Sequence, residues 1–547
     1  MRIVALFLLL VIEYIFSLTA HSQKILWEKS LGGKQSEVLS DIVPCPDNGF
    51  LVAGFSASVK SGNKTANHLG NYDYFIWKMN DKGEPEWQKT FGGSENEVLN
   101  SVLLTREGGF LLAGTSNSSK SESKHSLNIG KDDFWIIKLS PNGAEEWQLA
   151  LGGFGQEKNA KVLQTRDGGY VIAGTSGKGT VIDIPTEEKD KKVKYIYKTE
   201  PSYGNLDYWV IKVNSEGKME WQKTFGGSYA DELKSMVLHG EDIILAGISN
   251  SNDDGTKTIG ARGMDDIWLI SLDKDGVEKW QKAIGSEGSD VIQTLIVTSK
   301  NELFIGAHSN SNTGHDKIKS NKEGTDLWLL KLSFEGEIIW QETYNYAENE
   351  TLTSIVENQD GTFLIGAYVI GTSHFASKSK QATRKNKKPP LEDDFLAFKI
   401  NVEGDVIWSK IVHGDGKDIL KKVIETRDGG YLMAGNSNSS ISGDKSTGIG
   451  QDDFWIVKLK DNKKPDNPTL EIEAYPNPTK QFTTIIVGYE FERGTATVAD
   501  LTGRQLQQFE IQSRTVPIDL SGLPEGIYVV NIKTNVQSNG VKIIKAN

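Results

Sequence analysis

The chain has 547 residues but a single cysteine, Cys45, with only 6 methionines, 14 prolines and 8 histidines. One cysteine excludes an internal disulfide framework and a multi-cysteine metal centre. Beyond the N-terminus no apolar run approaches the ~20 residues of a membrane-spanning helix, and helical periodicity is absent. Positive charge is the minority sign: 61 Lys and Arg stand against 73 Asp and Glu, a net charge of −12. That balance argues against a nucleic-acid binder and against retention on anionic lipid by overall charge. Catalytic motifs are lacking too: there is no His-Glu-x-x-His, no Gly-x-Ser-x-Gly and no phosphate-binding glycine loop. His68, His125, His239, His308, His315, His374 and His413 share no common position in the repeat described next.

What the chain has in excess is glycine, at 56, and tryptophan, at 13. The tryptophans lead to a repeat. Trp27, Trp87, Trp147, Trp221, Trp280, Trp340 and Trp408 are spaced by 60, 60, 74, 59, 60 and 68 residues. Asp73, Asp133, Asp207, Asp266, Asp326, Asp394 and Asp453 each open an apolar segment, and the first six precede the next Trp by 14 residues every time. A small pair marked by Gly54, Gly114, Gly174, Gly247, Ala307, Ala367 and Gly435 keeps the same phase. The other six tryptophans fall in the segment opened by the Asp, where the first and sixth copies carry Phe75 and Leu396 two residues after it.

Each copy reads as four short strands bounded by turn residues, as in "PEWQKTFGG", "EVLNSVLLT", "FLLAGTS" and "DDFWIIKLS". We name them by their markers: the Trp strand, the acid strand, the small-pair strand and the Asp strand. The chain opens on a lone Trp strand and its last copy, ending at residue 459, lacks one. A ring closed by pairing first with last explains both facts, whereas an open solenoid would leave two ends to cap. The expected fold is all-β: a seven-bladed β-propeller over residues 23–459, closed by the N-terminal strand, then a linker at 460–471 and a small Ig-like β-sandwich over 472–547. Recurrent tryptophans are expected to pack between neighbouring blades.

Residues 1–22 read as a secretory signal: Arg2, an apolar run over 3–12 interrupted at Glu13, and Ala20-His21-Ser22 before a mature start at Gln23. Cys45 is expected to be a small strand residue rather than a reactive thiol.

Several groups are candidates for binding. Glu37, Glu97, Glu157, Asp231, Asp290, Glu350 and Asp418 recur four residues after the Gly-Gly turn. They read either as a ligand or cation ring at one channel mouth, or as carboxylates that accept amide hydrogens from their own turns. Between the small pair and the Asp, the third copy has 33 residues and the sixth 27, against the usual 18–19. Both insertions, 177–204 and 371–392, fall in the same loop type, which makes that face a recognition candidate. The second carries Lys378, Lys380, Arg384, Lys385, Lys387 and Lys388 with no acid among them, which suits a phosphate-rich or acidic glycan. No cofactor is expected. Ca²⁺ is the one metal that oxygen-rich loops such as 249–257 would suit, although none has the spacing of a known calcium loop.

After residue 460 the composition changes. Tyr475-Pro476-Asn477-Pro478, "DLTGR" at 500–504, "DLSGLPEGIYVVNI" at 519–532 with Gly526 and Tyr528, and "VKIIK" at 541–545 with Lys542 and Lys545 occur in that order. They resemble the type A C-terminal sorting domain of the Bacteroidota type IX secretion system. The resemblance implies export to the cell surface, recognition by the secretion machinery, removal of the domain by a sortase-like peptidase, and attachment of the cargo to lipopolysaccharide at the outer membrane or its release. The 60-residue copies are similar to uncharacterised propeller repeats of such secreted proteins, which bring no catalytic residues. The sequence thus points to a secreted binding or scaffold propeller for a glycan or protein ligand. The competing reading is a glycan-active enzyme using acids at the channel mouth.

Overall fold

The computed structural model describes residues 23–121, 123–180, 193–322, 324–371, 392–426, 429–461, 472–475, 477–479, 482–489, 491–512 and 514–546. The expected signal at 1–22, the basic run at 378–388 and most of the linker lie outside them. Among the described residues there is no helix. The strands form nine separate antiparallel-based sheets, none closed upon itself.

Seven of these sheets come from residues 25–459. Their order follows the repeat: in the first, Glu37–Pro44, Phe50–Ser56, Asp73–Met79 and Pro85–Phe91 lie side by side as acid, small-pair, Asp and Trp strands. The last sheet takes Asp418–Glu425, Tyr431–Ser437 and Asp453–Leu459 from its own copy and completes itself with Ile25–Leu31 from the N-terminus. Within that pair Lys29 faces Ile456 and Leu31 faces Phe454.

Neighbouring sheets meet in sequence order, and the last meets the first. Acid strand lies beside acid strand all the way round, including Asp418–Glu425 beside Glu37–Pro44. Backbone amides stitch consecutive sheets: Glu97 N donates to Tyr72 O at 2.7 Å and Asp290 N to Asp265 O at 2.7 Å. The same bond joins the ends of the series, from Glu37 N to Asp452 O at 2.8 Å.

Aromatic packing follows the same circuit. Phe134 stacks on Trp209 with ring centroids 5.7 Å apart and Phe454 on Phe75 at 5.8 Å, while Tyr208 meets Trp268 and Phe395 meets Trp455 at a tilt, each at 5.0 Å. Each pair joins the residue after one copy's Asp to the second residue after the next copy's Asp, so the large rings fill the space between sheets. Trp135, Trp209, Trp268 and Trp328 donate their indole N–H to Gln148, Gln222, Gln281 and Gln341 of the adjoining Trp strand at 3.0–3.2 Å. Trp77 departs from the expected register. It lies two residues beyond the shared position, which Phe75 fills, and its indole nitrogen finds no partner among the described residues.

The Trp-strand tryptophans are half-buried, except Trp408, which is buried, and Trp27 and Trp221 pack under the next copy's turn. A Cβ on Gly83, at φ +74°, would meet the Trp27 ring at 3.0 Å, and one on Gly276, at φ +79°, the Trp221 ring at 3.0 Å. Glycine is required there for both the left-handed backbone and the close approach. Cys45 is buried and free, with burial holding its thiol far above the usual range.

The third-copy insertion is partly regular. Val193–Tyr197 adds a fifth strand, parallel to Glu145–Gly152, and so covers the outer edge of the second sheet. At the C-terminus, Ile472–Tyr475, Phe482–Val487 and Thr515–Asp519 form one sheet, and Gly494–Asp500, Gln505–Ile511, Gly526–Thr534 and Ser538–Lys545 another. Ile485, Val516 and Ile518 of the first share a core with Val498, Val530 and Ile532 of the second.

Candidate functional site

The repeated acids are fully buried, and each serves its own turn. Glu37, Glu97, Asp231, Asp290 and Asp418 accept the amide four residues upstream at 2.5–2.8 Å. Glu350 accepts from Tyr346 N at 2.6 Å and also from Ala347 N. A serine hydroxyl supports all but Glu350, at 2.6–3.0 Å, including Ser176 on Glu157. The Asp series caps its loops in the same manner: Asp73, Asp207, Asp326 and Asp453 accept the amide four residues before them at 2.8–3.0 Å.

Consecutive copies share these turns. A Cβ on Gly92 would fall inside contact distance of both Asp73 and Glu97, and one on Gly32 would collide with Glu37 and close on Asp453. The Gly-Gly phrase is therefore where two carboxylates of adjacent copies converge on bare backbone.

A cation answers them. Lys64, Lys124, Lys198, Lys257, Lys317 and Lys445 are all at most 2% exposed. Lys124 Nζ donates to Ser118 O at 2.8 Å and Ser126 O at 3.0 Å, and Lys445 Nζ reaches Ser437 Oγ at 2.9 Å and Asp453 at 3.5 Å. Burial lowers Lys124 and Lys317 to about 8, and raises Asp133 and Asp207 to about 6, Glu350 to about 7 and Glu157 to about 8. These lysines escape a reading centred on the acids. Their signal is a spacing of eight or nine residues before the Asp. Among the described residues no three His, Cys, Asp or Glu side chains group as a metal site would need.

The axial space holds a different set. A cavity of about 620 Å³ is lined by residues of all seven acid strands, and none of the seven repeated acids is among them. Each acid strand breaks register just past its first turn of pairing, between Leu39 and Asp41, Leu99 and Ser101, Lys158 and Lys161, Leu233 and Ser235, Ile292 and Thr294, Leu352 and Ser354, and Leu420 and Lys422. Such bulges re-aim side chains. In six of the seven strands the third and fourth residues after the repeated acid are thereby both polar and both line the cavity: Ser40 and Asp41, Asn100 and Ser101, Lys234 and Ser235, Gln293 and Thr294, Thr353 and Ser354, Lys421 and Lys422. The third copy presents Lys161, with Ala160 at the preceding place.

Some of this lining is structural. Asp41 accepts Val102 N at 3.0 Å, Ser101 donates to Ala160 O at 2.9 Å, Ser235 accepts Leu295 N at 3.2 Å and Ser354 accepts Val423 N at 2.9 Å. Lys422 pairs with Asp41 across the closure at 2.6 Å, and Lys234 with Glu232 at 2.8 Å. Sequence reasoning misses this ring because it looks like ordinary alternation. Its trace is a polar pair at a fixed offset from the acid.

In the C-terminal unit the two ends of the motif set meet. Asn477 donates to Lys542 O at 2.7 Å and accepts Ile544 N at 2.9 Å. Lys545 Nζ reaches Leu520 O at 2.8 Å, and Tyr528 OH donates to Pro524 O at 2.5 Å. Gly526 takes φ +156°, and Pro478 follows a cis peptide bond. Pro476 lies outside the described residues.

Residues 473–546 match the family described as the secretion system C-terminal sorting domain. No curated protein matches the chain. Solved structures that resemble it include a protein of unknown function from Bacteroides caccae, with 12% identity over 63% of this chain and 92% of that one and a TM-score of 0.32. The WD40 domain of Neurospora crassa Pan2 has 10% identity over 82% and 100%, with a TM-score of 0.39. PorZ, a surface component of the type IX secretion system of Porphyromonas gingivalis, has 9% identity over 96% and 86%, with a TM-score of 0.18. Likenesses this distant carry no argument about activity. The sorting tail itself marks the protein for export by type IX secretion to the cell surface or beyond.

Proposed function

We propose that residues 23–459 are a seven-bladed β-propeller closed by the N-terminal strand, exported as a binding protein whose glycan or protein ligand enters the axial cavity. The observation that carries this reading is the cavity wall, to which all seven copies turn polar side chains where the acid strand breaks register, with a single-residue bulge in six copies and a wider one in the third. In this reading residues 472–547 are an Ig-like sandwich that docks with the type IX machinery. A sortase-like peptidase removes it, and the cargo is anchored to lipopolysaccharide or released. The enzyme reading is the weaker one, because the acids it would use are fully buried, stand outside the cavity lining and are each held by an amide or serine of their own copy.

A glycan array and surface-protein capture with the full secreted chain test the binding role. Asn100→Leu and Gln293→Leu, each shown to keep the wild-type circular dichroism spectrum, should abolish capture by filling polar positions of the wall. Capture that survives both substitutions overturns the cavity assignment, and turnover lost in Glu97→Gln overturns the binding role. For export, Asn477→Ala removes both bonds between the motif ends and should leave the protein inside the cell envelope, as judged by fractionation. Secretion at the wild-type level would refute that part.

A further inference from the structure

The axial cavity concentrates positive charge in a protein whose net charge is −12. Lys161, Lys234, Lys421 and Lys422 line it, and Asp41 is the one carboxylate among the lining residues. Two of the four ammonium groups are already matched: Lys422 by Asp41 and Lys234 by Glu232. Lys161 and Lys421 have no hydrogen-bond or ion-pair partner among the described residues. They approach the axis from different parts of the wall, since their strands belong to the third and seventh sheets. Lys161 feels Asp41, Lys422 and Lys234 together, so the charged groups share one space.

Unpaired ammonium groups in a confined space are costly to the fold. Burial lowers the affinity of both Lys161 and Lys421 for their protons; for Lys161 the neighbouring Asp41 opposes the effect while Lys422 and Lys234 add to it. Nothing in the stitching of the sheets requires them. Ser101, Ser235 and Ser354 make the inter-sheet bonds with neutral side chains, and Asp41 makes them with its own carboxylate. Around the lysines stand amides and hydroxyls that suit a hydroxylated ligand: Gln293, the amide nitrogen of Asn100, whose oxygen accepts Ala160 N at 3.2 Å, and Thr353, its hydroxyl buried and unpartnered among the described residues.

Resting on the cavity reading above, we infer that the axial cavity is an anion site. It takes a small, multiply hydroxylated ligand with at least one phosphate or carboxylate, placed so that Lys161 and Lys421 both reach the acidic group or groups. Lysines supply point charges for phosphate or carboxylate. The amides and hydroxyls then read the sugar-like body, so a phosphorylated or a uronic saccharide has the required chemistry.

Titration calorimetry on the full secreted chain at low salt, with four probes, tests this. The probes are glucose 6-phosphate, tri-galacturonate, glucose and maltotriose. At least one acidic probe should bind, at least tenfold more tightly than the neutral sugar of its size, and a rise in salt should weaken it. The two acidic probes distinguish phosphate from carboxylate as the preferred group. Lys161→Gln and Lys421→Gln, made separately, should each weaken the acidic probe at least tenfold, Lys421→Arg should retain binding, and Lys279→Gln on the outer surface should have no effect. A melting temperature at or above wild type in Lys161→Gln separates lost binding from lost structure. Equal binding of acidic and neutral probes, no binding of either acidic probe, or unchanged affinity in both glutamine variants overturns the anion site. If a neutral saccharide binds and Asn100→Leu abolishes it, the cavity reading stands while this inference fails. If no cavity substitution alters any capture, both fail.

Discussion

Glu28 offers a direct measurement of how the last sheet is completed. In four copies the buried indole N–H of the Asp strand is held by the Gln that follows the Trp, within one hairpin. In the seventh copy the acceptor is Glu28, which holds Trp455 Nε1 at 2.7 Å from the other end of the sequence. Trp455 is fully buried. Glu28→Ala therefore leaves an indole donor inside the protein with no acceptor, at a cost of about 1–3 kcal/mol. Glu28 also accepts from Ser446, but that residue is exposed and water replaces the bond, adding at most ~0.5 kcal/mol. The expected total is about 2 kcal/mol. With a urea dependence of roughly 2–3 kcal/mol/M, the unfolding midpoint should fall by about 0.7–1 M. Glu28→Gln restores the acceptor used in the other copies and should lie within ~0.5 kcal/mol of wild type. Gln222→Ala, which strands Trp209 in the same way, is the internal standard. If Glu28→Ala leaves the midpoint unchanged while Gln222→Ala lowers it, the first strand does not complete the last sheet and the closure argument is wrong.

Two further outcomes follow from the packing and the electrostatics. Trp209→Ala removes a fully buried ring stacked on Phe134 and should cost about 3–5 kcal/mol in urea unfolding, whereas the half-buried Trp221→Ala should cost clearly less; equal losses would contradict the inter-sheet role. Glu157 has its pKa raised by burial from an ordinary 4.5 to about 8, so between those values the folded chain holds a proton that the unfolded chain has released. Its contribution is therefore present at low pH and lost as pH rises through that window, and Glu157→Gln should flatten the fall in melting temperature between pH 5 and 8; an unchanged slope would show that Glu157 does not titrate there.

The strand content, the seven copies and the markers were legible from residue spacing, because a period repeated in sequence must be a period in structure. The spare N-terminal strand pointed to its place opposite residues 453–459, since an unpaired edge at each end is worse than one shared pair. The motif set at 475–545 was legible as well, and Asn477 supplies the contact that joins its ends. Trp77 shares residue type and strand with the other copies' tryptophans but not their position within the strand, where Phe75 stands. The buried lysines were hidden in loops that look solvated, and burial of a lysine follows from acids brought near it by the fold rather than from its neighbours in sequence.

By itself the sequence determined which segments are strands, how many times the unit recurs and which tail carries the export signal, all of which depend on local pattern and order. Only the tertiary structure decided what the side chains face. A one-residue bulge turns a strand's side chains from one direction to another without altering its composition. The same acids that could ring a channel instead sit within hydrogen-bond reach of amides four residues away, as Glu37 and Glu97 do, with Lys64 and Lys124 from the loops near enough to act on their charge. The axial wall is made of residues about 60 positions apart, which converge only when the sheets are arranged side by side and the last meets the first.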